Sequence, residues 1–266
     1  MGSTDHETRR LHDVIDAAWW RSCLKSEVPP HKVEITRAVD IGTYAVTVGQ
    51  FRVFVEATGY TTDGERNGRG AYRWSTERRR WDLAADCTWL TPGFQQADDH
   101  PVVCVSWNDA MAYSAWLSKR EGRVVRLPTE AEWEYACRAS TTTAFHAGES
   151  LESYQANFDG TDPLNPALSG PYLQRTSPVE SYAPNLFGLH DMHGNVYEWC
   201  SDWLDDTYYA RSPRQDPLGP PRGTERVVRG GAWNTIAARC RSACRKGGWV
   251  DFSINRRGFR ILAELR

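Results

Sequence analysis

From residue 140 to residue 232 the chain is interrupted at short intervals by proline and glycine: Asp162-Pro163, Asn165-Pro166, Gly170-Pro171, Ala183-Pro184 and Gly219-Pro220-Pro221. Each X-Pro step steers the preceding residue away from helix, and proline brings no N–H to a sheet. Only short strands and turns fit such a stretch. Whatever holds it together must therefore be packing and side-chain bonding, not long regular elements. The twelve tryptophans are the obvious means, since each carries a large apolar surface and one donor that needs a partner.

Better helix signals lie upstream. Thr47-Val48-Gly49-Gln50 is a capping-box pattern, with Phe51, Phe54 and Val55 on one face before Gly59. Ser106-Trp107-Asn108-Asp109 opens a second helix that ends at Gly122, and Thr129-Glu130-Ala131-Glu132 opens a third. A short amphipathic helix is expected around Leu11–Trp20, and the alternation in 31–35 predicts a strand. Residues 61–100 read as a long irregular stretch pinned by Trp74, Trp81 and Trp89. No repeat or linker is visible. One loop-rich α+β domain over residues 1–266 is favoured.

Composition narrows the function. With 40% apolar and 25% charged residues the chain can build a substantial core. A net charge of −2 argues against a broadly basic nucleic-acid binder, and no apolar run approaches the ~18 residues that span a bilayer. The start, MGSTDHETRR, has no apolar leader segment. Seven scattered cysteines without a CxxC pair speak against a disulfide framework or a zinc knuckle. Reduced thiols in a cytoplasmic chain are expected, with no nucleic-acid or membrane partner. No GxSxG, HExxH, P-loop or GxGxxG occurs.

Three segments carry chemistry. In Gly188-Leu189-His190-Asp191-Met192-His193-Gly194-Asn195-Val196-Tyr197-Glu198-Trp199 a helix would hold Asp191 and Glu198 roughly 10.5 Å apart along its axis. A tight turn at Gly194-Asn195 would instead let the two carboxylates converge on a hard cation such as calcium. The other reading is a simple turn followed by a solvated acid. His190 and His193 lack a third convergent ligand and read as structural. Residues 239–245 alternate as a strand would, placing Cys240 and Cys244 about 13 Å apart and Arg239, Arg241 and Arg245 on the opposite face. Finally Trp233-Asn234 and the loop Lys246 to Arg257 mix Trp249, Val250, Phe252 and Ile254 with Asp251, Asn255 and Arg256. That makeup suits a recognition surface, and equally a loop plugging the core.

Taken together, TVGQFRVFV at 47–55, HPVVCVSWNDAMAYSAWLSKREGRVVRLPTEAEWEYACRAS at 100–140, GLHDMHGNVYEWCSDW at 188–203, and the terminal RVVRGGAWN and RRGFRI resemble the formylglycine-generating-enzyme, or sulfatase-modifying-factor, superfamily. The motifs run in order over essentially the whole chain. The resemblance implies an irregular α+β domain of C-type-lectin-like kind with calcium-braced loops. It also implies a strand ahead of Met1-Gly2-Ser3, a first strand that the resemblance leaves outside this sequence. One family calcium site maps to the side chains of Asp191 and Glu198 with the carbonyls of Gly194 and Val196. A second would start at Asn157 and Phe158, but its acidic partner before Leu173 is replaced here by Pro171.

The family's oxidases hold Cu(I) between two cysteines of a Cys-x4-Cys pair soon after Gly-Gly-Ser, as soft thiolates suit that ion. Here Gly230-Gly231-Ala232 is followed by Trp233 to Arg239 without a cysteine, and Cys240 and Cys244 fall later and at the wrong spacing. Copper is not expected, and no catalytic residue is assigned. The three-histidine iron site of related sulfoxide synthases has no counterpart around His6 and His12. A non-catalytic branch, the variable proteins of diversity-generating retroelements, displays a hypervariable C-terminal loop on this scaffold. The expectation is therefore a calcium-stabilised scaffold binding a protein or small-molecule ligand through Trp233, Asn234, Trp249, Asp251, Phe252, Asn255 and Arg256. The alternative is an active oxidase converting a sulfatase cysteine to formylglycine.

Overall fold

Hydroxyl caps decide where most helices begin. The computed structural model describes residues 1–14, 24–75, 77–78 and 80–265. In chain order its helices are α1 (Asp5–Val14), α2 (Val48–Thr58), α3 (Asp63–Arg66), α4 (Trp107–Glu121) and α5 (Glu130–Arg138). Thr47, Thr62, Ser106 and Thr129 each accept a backbone N–H three residues on, and Gln50, Glu65, Asp109 and Glu132 return the bond to the cap. Asp109 is shorter than the usual Glu at this position, yet its Oδ2 accepts the Ser106 N–H at 2.8 Å. Both α2 and α4 stop at a glycine in the left-handed region, Gly59 and Gly122. The expected Leu11–Trp20 helix overlaps the end of α1; its continuation, like Cys23, lies outside the described residues.

The strands are β1 (Val39–Ile41), β2 (Ala71–Ser75), β3 (Arg80–Ala84), β4 (Val125–Arg126), β5 (Tyr197–Trp203), β6 (Arg226–Arg229), β7 (Lys246–Gly248), β8 (Arg257–Phe259) and β9 (Leu262–Glu264). They form a β1-β9-β4 sheet, a β2-β3 hairpin and a four-stranded β7-β6-β5-β8 sheet. In the last, β5 runs antiparallel to β6 and parallel to β8, with Tyr197 opposite Arg257 and Trp199 opposite Phe259. The longest strand has seven residues, the length that the proline punctuation allows.

Three local expectations change. Residues 31–35 are not a strand: only Glu34 bridges, to Gln215, so no ladder forms. The 61–100 stretch contains the β2-β3 hairpin, pinned by a Trp74–Trp81 cross-strand pair with ring centroids 5.4 Å apart. Residues 239–245 are not a strand either. Ala237–Cys240 form a 3-10 turn, and every residue from Cys240 to Arg245 is buried, so no exposed arginine face exists there.

The main core lies under the four-stranded sheet. Phe51 of α2 is fully buried and meets Trp89, Tyr113 of α4 and Phe259 of β8 with centroids 5.3, 6.0 and 6.4 Å away. A second cluster joins Trp133 of α5 to Met192, Cys200 and Val227. These clusters clamp the two faces of the sheet and leave its β8 end, with the loop before it, as the place where polar groups collect.

Candidate functional site

Four arginines of the terminal segment are held by carboxylates far away in sequence. Arg229 donates to Glu134 at 2.5 Å and to the carbonyls of Ser242, Ala243 and Cys244. Arg241 forks onto Glu27 at 2.9 Å twice and reaches Glu7 at 2.6 Å. Arg245 forks onto Glu130 at 2.6 and 2.7 Å. Arg260 forks onto Glu198 at 2.9 and 3.1 Å. All four guanidinium-bearing side chains are fully buried. Burial alone would raise the Glu134 pKa, but Arg138 and Arg229 overcome it and hold the carboxyl at about 2. These bonds tie α1, α5 and the first residues to the terminal segment.

Arg256 and Arg257 are different. Arg256 lies over Trp81 at 4.4 Å and Tyr197 at 5.6 Å, and its one side-chain hydrogen bond is to Asn234 Oδ1 at 3.4 Å. Arg257 lies over Trp199 at 4.4 Å and Phe252 at 5.3 Å. Neither has a carboxylate in ion-pair contact among the described residues. The Nε of Arg256, the Nε and Nη1 of Arg257, the Tyr197 hydroxyl and Asn255 Oδ1 are buried without a hydrogen-bond partner. Burial, then the adjacent Arg256, push the Arg257 pKa down to about 9. Burial likewise pushes the Tyr197 phenol up to about 12.

The seven residues expected to bind a ligand divide accordingly. Trp233 is core: its Nε1 donates to Asn255 O at 3.1 Å, and its ring meets Phe94 and Tyr172. Asn255 is also buried and donates to Pro92 O at 2.9 Å. For these two the core-plug alternative fits. Asn234 and Arg256 face each other at half-buried positions, while Trp249, at 57% exposure, and Asp251 are open to solvent. Phe252 stacks on Tyr72 and meets Trp249 edge-on. Beside this loop, against Phe94, runs an open groove of about 900 Å³ lined by Arg73, Phe94, His100, Arg175 and Ser177. Sequence reading missed the groove and Arg257; the paired Arg256-Arg257 before Gly258 was the available signal.

The thiols are all reduced and buried among the described residues that carry them. Cys240 and Cys244 are buried, and burial pushes their pKa values up to about 12 and about 11. The Cys240 sulfur sits 3.5 Å from the Thr235 hydroxyl and would lie 2.4 Å from a Cβ at Gly231. These protonated, wedged thiols do not fit a Cu(I) site. Cys87 and Cys104 do make a sulfur–sulfur contact at 3.6 Å, sealed at 0% and 2% exposure. No cluster of three or more metal-ligating side chains occurs among the described residues.

The acidic turn is tight. Asp191, Gly194 and Asn195 have φ of 57°, 80° and 59°. A side chain at 194 would strike Asn157 O, at 2.3 Å, so glycine is needed there. Burial raises the Asp191 pKa to about 6, opposed first by the Glu180 N–H that its Oδ2 accepts at 3.1 Å; the ion pair of Arg260 is with Glu198. Glu198 Oε2 also accepts Trp133 Nε1 at 2.7 Å. The carboxylates of Asp191 and Glu198 with the carbonyls of Gly194 and Val196 are oxygen donors of the kind a hard cation takes, and Arg260, paired with Glu198, would compete for it. At the second mapped position Asn157 Oδ1 is buried and unpartnered, but Pro171 brings no carboxylate.

Few helices, small sheets and a loop-built face define an irregular α+β domain of the C-type-lectin-like class. The family model described as the sulfatase-modifying factor enzyme 1-like domain matches residues 6–265, and the chain belongs to that family. It is 40% identical, over 88% of its length and 80% of the relative's, to the formylglycine-generating enzyme of Streptomyces coelicolor. The structure of PvdO from Pseudomonas aeruginosa superimposes with TM-score 0.76 at 31% identity, covering 100% of this chain and 90% of that one. Treponema denticola variable protein 1 superimposes with TM-score 0.66 at 25% identity, covering 89% and 87%. No helix of the described residues is long and apolar enough to cross a membrane.

Proposed function

We propose that this chain is a ligand-binding member of the sulfatase-modifying-factor family that does not carry out the copper-dependent oxidation of cysteine to formylglycine. The observation that carries this reading is the state of the thiols: no cysteine lies between Gly231 and Arg239, and Cys240 and Cys244 are buried and protonated. The ligand face is the loop ahead of β8, where Arg256, Arg257, Trp249 and Phe252 offer cationic and aromatic surface. The likeness to a variable protein supports such a use of the scaffold. Calcium bound by Asp191, Glu198 and the carbonyls of Gly194 and Val196 would brace the turn beside it.

A second reading, the oxidase, draws on the 40% identity to a formylglycine-generating enzyme and on the Cys87–Cys104 contact. Anaerobic Cu(I) titration, followed by incubation with a cysteine-containing sulfatase peptide, separates the two. The expected outcome is no stoichiometric copper binding and no aldehyde product. Binding lost in Cys87→Ser or Cys240→Ser, with turnover of the peptide, would replace the first reading with the second.

A further inference from the structure

The aromatic faces under Arg256 and Arg257 account for part of their stabilisation but not for their in-plane N–H groups. A cation over a ring is attracted by the ring's face, whereas guanidinium N–H bonds point outward in the guanidinium plane and need acceptors there. Tyr197 and Trp199 are alternate residues of β5 and so lie on one face of it. Arg256 sits within 5.6 Å of the first ring's centroid and Arg257 within 4.4 Å of the second. Two adjacent guanidiniums thus stand over one face of one strand. Arg257 is only 6% exposed, and its Nε and Nη1 have no acceptor. The Tyr197 hydroxyl, on a residue 2% exposed, also has none.

Buried donors are normally satisfied, and a buried cation is normally paired. The same chain satisfies that rule for four other arginines by bringing in glutamates. The carboxylate whose charge acts on Arg257, Glu225, lies against Gly247 and makes no ion pair with it.

We propose that Arg257, with Arg256 and the Tyr197 hydroxyl, forms a recessed subsite for the oxyanion of a small-molecule ligand. Carboxylate, phosphate and sulfate share the needed chemistry: negative charge and oxygens that accept forked guanidinium N–H bonds. Trp249 and Phe252 border the subsite and cover the non-ionic part of the ligand. This rests on the ligand-binding reading and specifies the class of ligand.

The test uses the wild-type chain and Arg257→Met, which keeps an unbranched apolar stem over Trp199. Thermal melting and isothermal titration are run with sodium phosphate, sulfate or acetate against sodium chloride at fixed ionic strength. The expected result is a saturable rise in wild-type Tm with at least one oxyanion, the ranking of the three identifying the head group. In Arg257→Met the apparent affinity falls at least tenfold, and the anion-free variant melts at or above the wild type, because an unpaired buried charge has been removed. The proposal is overturned by equal anion responses in both chains, by no response in the wild type, or by an anion-free variant that melts well below it. A Tyr197→Phe variant, with fold and ring intact, is expected to weaken the same anion several-fold; no change removes the hydroxyl from the subsite. Peptide turnover with copper would refute the binding-module reading whatever the anions do, so the two failures stay distinct.

Discussion

Two sets of arginines, both from the last forty residues of the chain, are treated in opposite ways. Arg229, Arg241, Arg245 and Arg260 meet glutamates from distant segments and are closed to solvent. Arg256 and Arg257 meet tryptophan, tyrosine and phenylalanine faces and keep donors unused. Burying a charge is costly in either case. In the first set the protein itself supplies the compensation, and the outcome is a fixed frame. In the second set compensation from the described residues is incomplete, which is what the proposed oxyanion subsite rests on. Paired charges here mark structure; unpaired ones mark the place to look for binding.

The comparison can be broken most severely at Glu130, which serves both Arg245 and, at 3.4 Å, Arg229. Glu130→Gln leaves two buried cations short of one negative charge and is expected to cost about 3–5 kcal/mol in urea unfolding, the usual effect of removing one member of a buried pair. A cost below about 1 kcal/mol would show that the frame does not depend on its ion pairs.

Asp202 sharpens the same contrast from the acidic side. It is buried beside Glu130, with Arg245 too committed to neutralise it, and its pKa is raised by burial and then by Glu130 to about 7. Its oxygens accept the Glu130 N–H and the Ser201 hydroxyl. A carboxyl whose folded pKa exceeds its unfolded one favours folding while protonated, so its contribution is full below about pH 4 and lost as pH rises towards 7. At about 1.4 kcal/mol per pKa unit, up to about 4 kcal/mol is at stake. Asp202→Asn is expected to flatten the stability profile between pH 4 and 7, measured by urea unfolding at each pH. An unchanged slope would assign the profile to other groups. Glu134, held at about 2, works in the other direction and lower: its stabilisation is present above its ordinary pKa and is lost as pH falls.

The smallest expected effect tests whether Arg260 is the only cation that Glu198 meets. If calcium joins Asp191 and Glu198, chelation lowers Tm, and restoring the ion at 100 times Kd returns about 2.7 kcal/mol. Full indifference to chelator and calcium would mean that Glu198 meets the guanidinium alone.

How much of this could be read beforehand follows the range of the interactions. The capped helices α2, α4 and α5 were legible because Thr47, Ser106 and Thr129 signal to residues three positions away. The tight turn at Gly194-Asn195 was legible, and both residues have positive φ. The Arg241–Glu27 and Arg245–Glu130 forks span 214 and 115 residues and leave no local pattern. Without them, residues 239–245 looked like a strand with alternating faces, when ion pairing buries the arginines as deeply as the cysteines. Composition left Trp233 and Asn255 open between recognition surface and core plug; their mutual bond across 22 residues shows them to be core. The hairpin of residues 71–84 was hidden because its cross-strand tryptophans are bordered by arginines and not by a compact turn signature.

The frame arginines bracket the segment between Arg245 and Arg260 at both ends. The anchoring of this segment is thereby written in residues other than those proposed to meet a ligand. If Trp249, Asp251 and Phe252 contact a ligand as proposed, exchanging them would leave the anchors on either side to go on specifying the same shape.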